Sequence, residues 1–350
     1  MTIKDRKADH IRICKSERVA PGYCYWDDIR FVHNALPELN ADDIDMSCTL
    51  FGKKLSAPII VTAITGGFAG AKKINKNIAE ACSELGLGMG VGSERAGVLG
   101  SCPESYSIVK DYDVPLMIGN IGAVQLIDQK SGKRYTDEMV DEAVELVDAD
   151  VMAVHLNPLQ EMVQPEGDTN FEGCYEAIRS LASKGPVIVK ETGAGISKQV
   201  AERLRGIGVQ GLDVSGMGGT SFSAVEFYRA FESDDKVMTA VGDTFFDWGI
   251  PAPVSVMQCK ECNLPLIASG GVLDGIHVAS SIALGASAAG VANIILKEAT
   301  ESADAVKEKL KIIIQELRTA MLLTGSKDLK QLSEARYVVL GETKEWMDQL

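Results

Sequence analysis

From Pro58 onward the chain alternates between two textures. Short runs rich in Val, Ile, Met and Ala stop abruptly at Gly, Ser, Thr or Asn, and segments with apolar residues at helical spacing separate them. The short runs lack every-second-residue polarity, which predicts parallel strands covered on both faces. The strands predicted are 58–65, 86–93, 115–122, 150–157, 186–192, 211–215, 265–271 and 288–292. The helices between them are 71–85, 137–147, 171–183, 197–206, 224–231 and 274–284. Repeated strand-helix units of this number predict an α/β fold, a (β/α)8 TIM barrel rather than an open doubly wound sheet.

The remaining stretches fit around that repeat. The first fifty residues are polar and irregular, with one short strand pairing near Ile44 to Phe51, and 1–57 precede the repeat. They are expected to form an N-terminal extension of a single domain spanning 1–350. The longest gap between strands holds Val241 to Pro251, a loop long enough to cover the barrel mouth. Residues 298–323 predict one long amphipathic helix, and 341–346 a polar tail.

Composition narrows the function classes. A net charge of -14 and a pI near 4.9 exclude the basic face that a nucleic-acid partner requires. No apolar run reaches the roughly 18 to 20 residues of a membrane span. Lys4-Asp5-Arg6-Lys7 stands where a signal peptide would carry its apolar region. A cytoplasmic protein is expected, so the eight cysteines are expected to be thiols. Cys259 and Cys262 have half of a zinc-site spacing, but no second pair follows and His277 stands alone.

Candidate chemistry gathers where strands end. The fourth strand stops in His155-Leu-Asn157-Pro158-Leu-Gln160-Glu161, because proline cannot extend a ladder and disfavours helix before it. Glu161 suits a hard cation such as Mg²⁺, while Asn157 and Gln160 can orient a substrate without adding charge. His155 fits either a general base or a strand-end histidine bonded to a neighbour. Lys190 ends the fifth strand and needs an anionic partner if it points inward, either as a Schiff-base lysine or as a cofactor anchor. Its neighbour Glu191 points the other way.

Glycine pairs at Gly66-Gly67, Gly218-Gly219 and Gly270-Gly271 allow close backbone approach to a ligand or simply make tight turns. After the seventh and eighth strands they fall where barrels bind a cofactor phosphate. Ser93 and Arg95 follow the second strand, and Arg95 joins Arg6 and Lys7 in an anion clamp if the N-terminal segment folds over the mouth. Taken alone, Arg6-Lys7 has the character of a solvated basic tail.

These motifs together resemble type 2 isopentenyl diphosphate isomerase. The resemblance is carried by Arg6-Lys7-Ala-Asp9-His10, Thr65-Gly66-Gly67, Gly92-Ser93-Glu94-Arg95-Ala96, Asn120-Ile-Gly122-Ala123-Val-Gln125, His155-Leu-Asn157-Pro-Leu-Gln160-Glu161, Val189-Lys190-Glu191, Asp213-Val-Ser215-Gly-Met-Gly-Gly219-Thr220 and Asp247-Trp248-Gly-Ile-Pro251. It implies a barrel that holds FMN and interconverts isopentenyl and dimethylallyl diphosphate, with no net redox change. The reduced flavin is implied as acid and base, and NADPH as its reductant. Implied flavin contacts are Ala63, Ile64, Thr65, Ser93, Asn120, Lys190, Ser215, Thr220, Gly271, Val272, Leu273, Ala292 and Asn293. Implied substrate contacts are Arg6, Lys7, Ser93, Arg95, His155, Asn157 and Gln160, with Glu161 on Mg²⁺. A homotetramer or homo-octamer is implied as well.

The sequence departs from the family pattern in three places. Glu94 replaces glutamine and is expected to add negative charge beside the diphosphate, Leu273 replaces an arginine near the FMN phosphate, and Ala63-Ile64 replaces Gly-Met. A 2-hydroxyacid oxidase, the nearest other enzyme class, needs a histidine base with arginine partners late in the barrel, whereas the sixth strand here leads into Ser215-Gly-Met-Gly-Gly-Thr220. A flavin-binding protein without catalysis is the third possibility.

Overall fold

The computed structural model describes residues 3–350, with side chains from Arg6 onward. Strands β1 (Ile59–Val61), β2 (Gly88–Gly90), β3 (Leu116–Gly122), β4 (Val151–Leu156), β5 (Val187–Glu191), β6 (Gly211–Asp213), β7 (Leu266–Ala268) and β8 (Ala288–Val291) are all parallel. They close into a barrel in chain order, with β8 pairing back onto β1. Each strand falls inside its predicted range but is shorter, because residues such as 62–65 and 91–93 leave the ladder to build the mouth.

Two interiors result from the period-two alternation of side chains. Ile60, Leu116, Ile118, Val151, Ala153, Ile188, Ile267 and Ala288 fill the barrel itself, while Val61, Met117, Met152, Val154 and Val189 face the surrounding helices. The barrel floor is plugged by a hairpin that the sequence only half predicts, Cys48–Leu50 with Lys53–Leu55, whose Leu50 and Leu55 join the inner cluster. Burying such side chains contributes about 1.5–3 kcal/mol each.

The helices follow their caps. Thr136, Ser197 and Asp274 accept the N–H groups of Met139, Val200 and His277, which fixes the starts of three predicted helices. The same device corrects the predicted helix 298–323. Ser302 accepts from the N–H of Ala305, so the chain forms Asn293–Glu301 and then Ala303–Thr324 instead of one continuous helix.

Three further expectations change. The N-terminal segment is not irregular: Ile3–Ser16 is an α-helix lying against the Phe222–Glu232 helix. The polar tail is also ordered, since Tyr337–Val339 pairs with Ile29–Phe31 and Gly341–Gln349 is helical. The long gap after β6 is not a bare loop: it carries helices Phe222–Glu232 and Lys236–Thr244, and Trp248 is 62% exposed. No described helix is long and apolar enough to cross a membrane.

Candidate active site

Along the barrel strands the inward positions change character two residues above the apolar layer. Ile118 is followed by Asn120, Ala153 by His155, Ile188 by Lys190 and Ile267 by Ser269, while Asp213 ends β6. This polar layer floors a cavity of about 540 Å³ at the C-terminal end of the barrel, where chemistry sits in this architecture. All the positions named from the sequence for flavin, diphosphate and metal border this one cavity.

The N-terminal helix supplies its cationic wall. Lys7 Nζ donates to the Ser93 backbone oxygen at 2.7 Å and to Tyr106 Oη at 2.6 Å, and lies 5.3 Å from that ring's centre. Arg6-Lys7 is therefore packed at the site and is no solvated tail. Burial, reinforced by Arg6, brings the Lys7 ammonium down to about 7. Burial also lowers Arg6, against the pull of Glu166 and Glu161. The helix is held by His10 Nε2, 2.9 Å from Glu226 Oε1, and Glu226 in turn pairs with Arg229.

Glu94 does not face the cavity beside this clamp as expected. It is fully buried outside the cavity lining, and its Oε1 accepts the Asn120 N–H at 2.6 Å. Burial raises its carboxyl to about 8, against the Asn120 N–H and Lys7, so at neutral pH the carboxyl is mostly protonated. Chemically it stands in for a neutral amide.

At the end of β4 the polar cluster is internally bonded. His155 Nδ1 lies 2.8 Å from Asn120 Oδ1, which requires Nδ1 to carry the proton and leaves Nε2 as the acceptor. Burial, then Lys190, Lys7 and Arg95, brings His155 down to about 3, so it is neutral. Asn157 Nδ2 donates to Glu161 Oε1 at 2.7 Å, and the Asp168 N–H donates to Glu161 Oε2 at 2.7 Å. Burial nonetheless raises the Glu161 carboxyl above its ordinary range. Asn157 Oδ1 is buried without a partner among the described residues, next to this carboxylate. An orphaned oxygen beside a carboxylate is the hard-oxygen donor set that Mg²⁺ takes.

Lys190 finds its anion across the sheet. Register places it opposite Asp213, with Nζ 3.9 Å from Oδ2, and Asp213 Oδ1 also accepts from Ser269 Oγ. Glu191 points away, as the alternation requires, and accepts the N–H groups of Gly193, Ala194 and Gly195. The cation thus faces the cavity with its charge balanced from below.

The glycine turns interlock. Gly270 has φ +96, and a Cβ there would lie 2.0 Å from the Gly216 oxygen, while one at Gly219 would lie 2.7 Å from the Gly271 nitrogen. Both turns border the cavity, so tight packing and close approach to a ligand coexist. The N-terminal strap, residues 20–28, braces them, since Trp26 Nε1 donates to the Gly270 oxygen at 2.8 Å; within the turn after β7, the Leu273 N–H donates to His277 Nδ1 at 3.2 Å. The backbone-lined rim after β7 and β8 suits a flavin phosphate even with Leu273 in place of arginine.

His277 then keeps its proton on Nε2, which faces Asp27 Oδ1 at 3.2 Å. Cys24, Asp27 and His277 are close enough for a metal. That tautomer opposes one, because the nitrogen facing the trio is already protonated. Cys259 and Cys262 are buried thiols apart from His277, and Cys259 Sγ bonds the Ile196 oxygen. Residues that sequence reasoning missed are Gln125 and Ala20 to Cys24, which also wall the cavity, and Asp213 and Asp168, which lie behind the lining and pair with Lys190 and Arg95. Asp213 was legible in principle as a carboxylate ending the neighbouring strand.

Known proteins share this plan. A family model for FMN-dependent dehydrogenase matches residues 157–339. The isopentenyl-diphosphate delta-isomerase of Thermoplasma volcanium is 44% identical over 348 residues, covering 99% of both chains. That of Halobacterium salinarum is 46% identical over 352 residues, covering 99% of this chain and 96% of the relative. Among solved structures, (S)-mandelate dehydrogenase superposes with a TM-score of 0.67 at 14% identity, covering 96% of this chain and 98% of that one. A lactate oxidase of Pediococcus acidilactici gives 0.65 at 15% identity, covering 90% and 84%. At such identities the likeness is one of fold. The sequence relatives say more: the chain belongs to the type 2, FMN-dependent isopentenyl-diphosphate delta-isomerase family.

Proposed function

We propose that this chain interconverts isopentenyl and dimethylallyl diphosphate, with FMN and Mg²⁺ bound in the barrel-mouth cavity. The observation that carries the proposal is the convergence of Arg6, Lys7 and Arg95 on one side of a cavity whose other rim is glycine backbone. A diphosphate needs the first and a flavin phosphate the second.

The chain's own residues bind and orient. Arg6, Lys7 and Arg95 hold the diphosphate remote from the reacting carbons, so its binding energy positions the alkene. Ser93, Asn157 and Gln160 add neutral contacts, and neutral His155 forms the pocket wall with Nε2 as acceptor. Glu161, with Asn157 Oδ1 beside it, would hold Mg²⁺ on the diphosphate. The flavin would lie against Ala63, Ile64, Thr65, Asn120, Lys190, Ser215 and Thr220, with its phosphate at Gly271, Val272, Leu273, Ala292 and Asn293. When bound and reduced, FMN supplies the acid and base for the double-bond shift.

The same proposal makes NADPH the reductant and the protein a cytoplasmic homotetramer or homo-octamer in which 1–57 completes the substrate site. The 2-hydroxyacid oxidase alternative is disfavoured because the late-barrel His277 is buried against Trp26 and Asp27, outside the cavity lining. Running the reaction in D₂O tests the chemistry: protonation of the alkene must place solvent deuterium in the new methyl group of the product. Product without deuterium would overturn it.

A further inference from the structure

Arg95 enters the cavity with one guanidinium nitrogen already committed. Its Nη1 donates to Asp168 Oδ2 at 2.7 Å, and the Asp168 side chain is only 6% exposed. Asp168 lies outside the cavity lining, and its other oxygen accepts from Ser131 Oγ. Its backbone N–H also serves Glu161. One residue therefore touches the clamp arginine through its side chain and the candidate metal carboxylate through its backbone.

The turn that carries it is tightly specified. A Cβ on Gly167 would fall 1.8 Å from the Glu161 oxygen, so a residue without one lets the chain return beneath the Pro158–Val163 helix. Glu166, on the same turn, accepts from Arg229 Nη2 at 2.7 Å. Arg229 pairs with Glu226, which holds His10 on the helix bearing Arg6 and Lys7. The turn thus connects both halves of the cationic wall.

We propose that Asp168 is a positioning residue for anion recognition, holding the Arg95 guanidinium toward the diphosphate so that its remaining N–H donors are presented in a fixed plane. This rests on the site assigned under the proposed function. A long side chain fixed at folding loses less rotamer freedom when the ligand arrives. The sign of the effect separates positioning from simple charge. By Coulomb's law alone, removing a carboxylate near an anion site strengthens anion binding; by positioning, it weakens binding.

The test is a double-mutant cycle on the FMN-loaded, full-length protein, titrated calorimetrically with inorganic pyrophosphate in excess Mg²⁺. Asp168→Asn is expected to weaken pyrophosphate about tenfold, or about 1.4 kcal/mol. In an Arg95→Ala background the same change is expected to shift affinity less than twofold, and FMN affinity is expected to stay the same. Ser131→Ala, a milder change that loses one bond to Asp168, is expected to weaken pyrophosphate two- to threefold only when Arg95 is present, and it serves if Asp168→Asn fails to fold. Tighter binding, equal losses in both backgrounds or parallel loss of FMN would overturn the positioning role. A cycle that shows the coupling while wild-type protein does not isomerise isopentenyl diphosphate overturns the proposed function and upholds this inference. Isomerisation without coupling does the reverse. Wild-type protein that binds no pyrophosphate overturns both.

Discussion

Lys7 reaches across the barrel mouth to the Ser93 backbone oxygen at 2.7 Å, joining the first turns of the N-terminal helix to the end of β2. Burial and Arg6 hold its ammonium down to about 7, so near neutrality it is only partly charged before a ligand arrives. A diphosphate favours the charged form, so binding above pH 7 must draw in a proton. Calorimetry at pH 8 in buffers of different ionisation enthalpy is expected to show proton uptake, with affinity falling as pH rises further. Lys7→Met is expected to abolish the uptake and raise KM by about 10- to 100-fold, the range of one or two charge-assisted contacts. Proton uptake unchanged in Lys7→Met would refute the assignment.

Glu161 carries the metal prediction. Glu161→Gln keeps the acceptor for the Asp168 N–H but removes the charge, so Mg²⁺ dependence and turnover are expected to drop while FMN affinity holds. Because burial raises the Glu161 carboxyl, protonation competes with the metal from a higher pH than at an exposed glutamate. The Mg²⁺ concentration for half-maximal rate is therefore expected to climb on acidification. Loss of FMN in this variant would show the metal to be misplaced.

Glu94 gives a stability prediction with a definite sign. Its folded pKa is about 8 against an ordinary 4.5, so the folded state holds a proton that the unfolded chain releases. Stability contributed by the neutral carboxyl is present below pH 4.5 and is lost as pH rises toward 8. Glu94→Gln retains the acceptor for the Asn120 N–H without the titration. Thermal melts are expected to place the variant a few degrees above wild type at pH 8, with the gap closing at pH 5.

Trp26 braces the Gly270 turn, proposed to meet the flavin phosphate, from outside the cavity. Trp26→Phe keeps the aromatic body and removes the donor to the Gly270 oxygen, so FMN is expected to bind about 3- to 10-fold more weakly, the effect of one hydrogen bond. Quenching of flavin fluorescence on titration measures it. Unchanged affinity would show that the strap packs without positioning the turn.

How much of this was legible depends on the range of the interactions involved. The eight barrel strands and the break at Asn157-Pro158 are local events, written in runs of apolar residues and a proline, and they stand close to where the sequence puts them. The N-terminal helix is different. Among its described apolar positions only Ile13 is fully buried, and what holds it are pairs such as His10 with Glu226 and Arg12 with Glu232, 216 and 220 residues apart. No local periodicity announces such a helix. The same holds for Tyr337–Val339, a strand only because Ile29–Phe31 lies beside it. In the site, single residues were readable but their partners were not: Asp213 meets Lys190 through strand register, and Asp168 meets Arg95 across 73 positions. The error at Glu94 was one of direction, since a charge counted from the sequence lies buried behind the wall it was expected to face.

The central claim is an isomerisation that needs reduced flavin yet consumes no reductant, and counting both in one vessel tests it most directly. Protein, FMN, Mg²⁺ and isopentenyl diphosphate are combined anaerobically with a small, limiting amount of NADPH, and dimethylallyl diphosphate and NADPH are followed together. Many product molecules are expected per NADPH oxidised. No product from protein with bound, reduced FMN would contradict it, as would product formation that stops at one per NADPH.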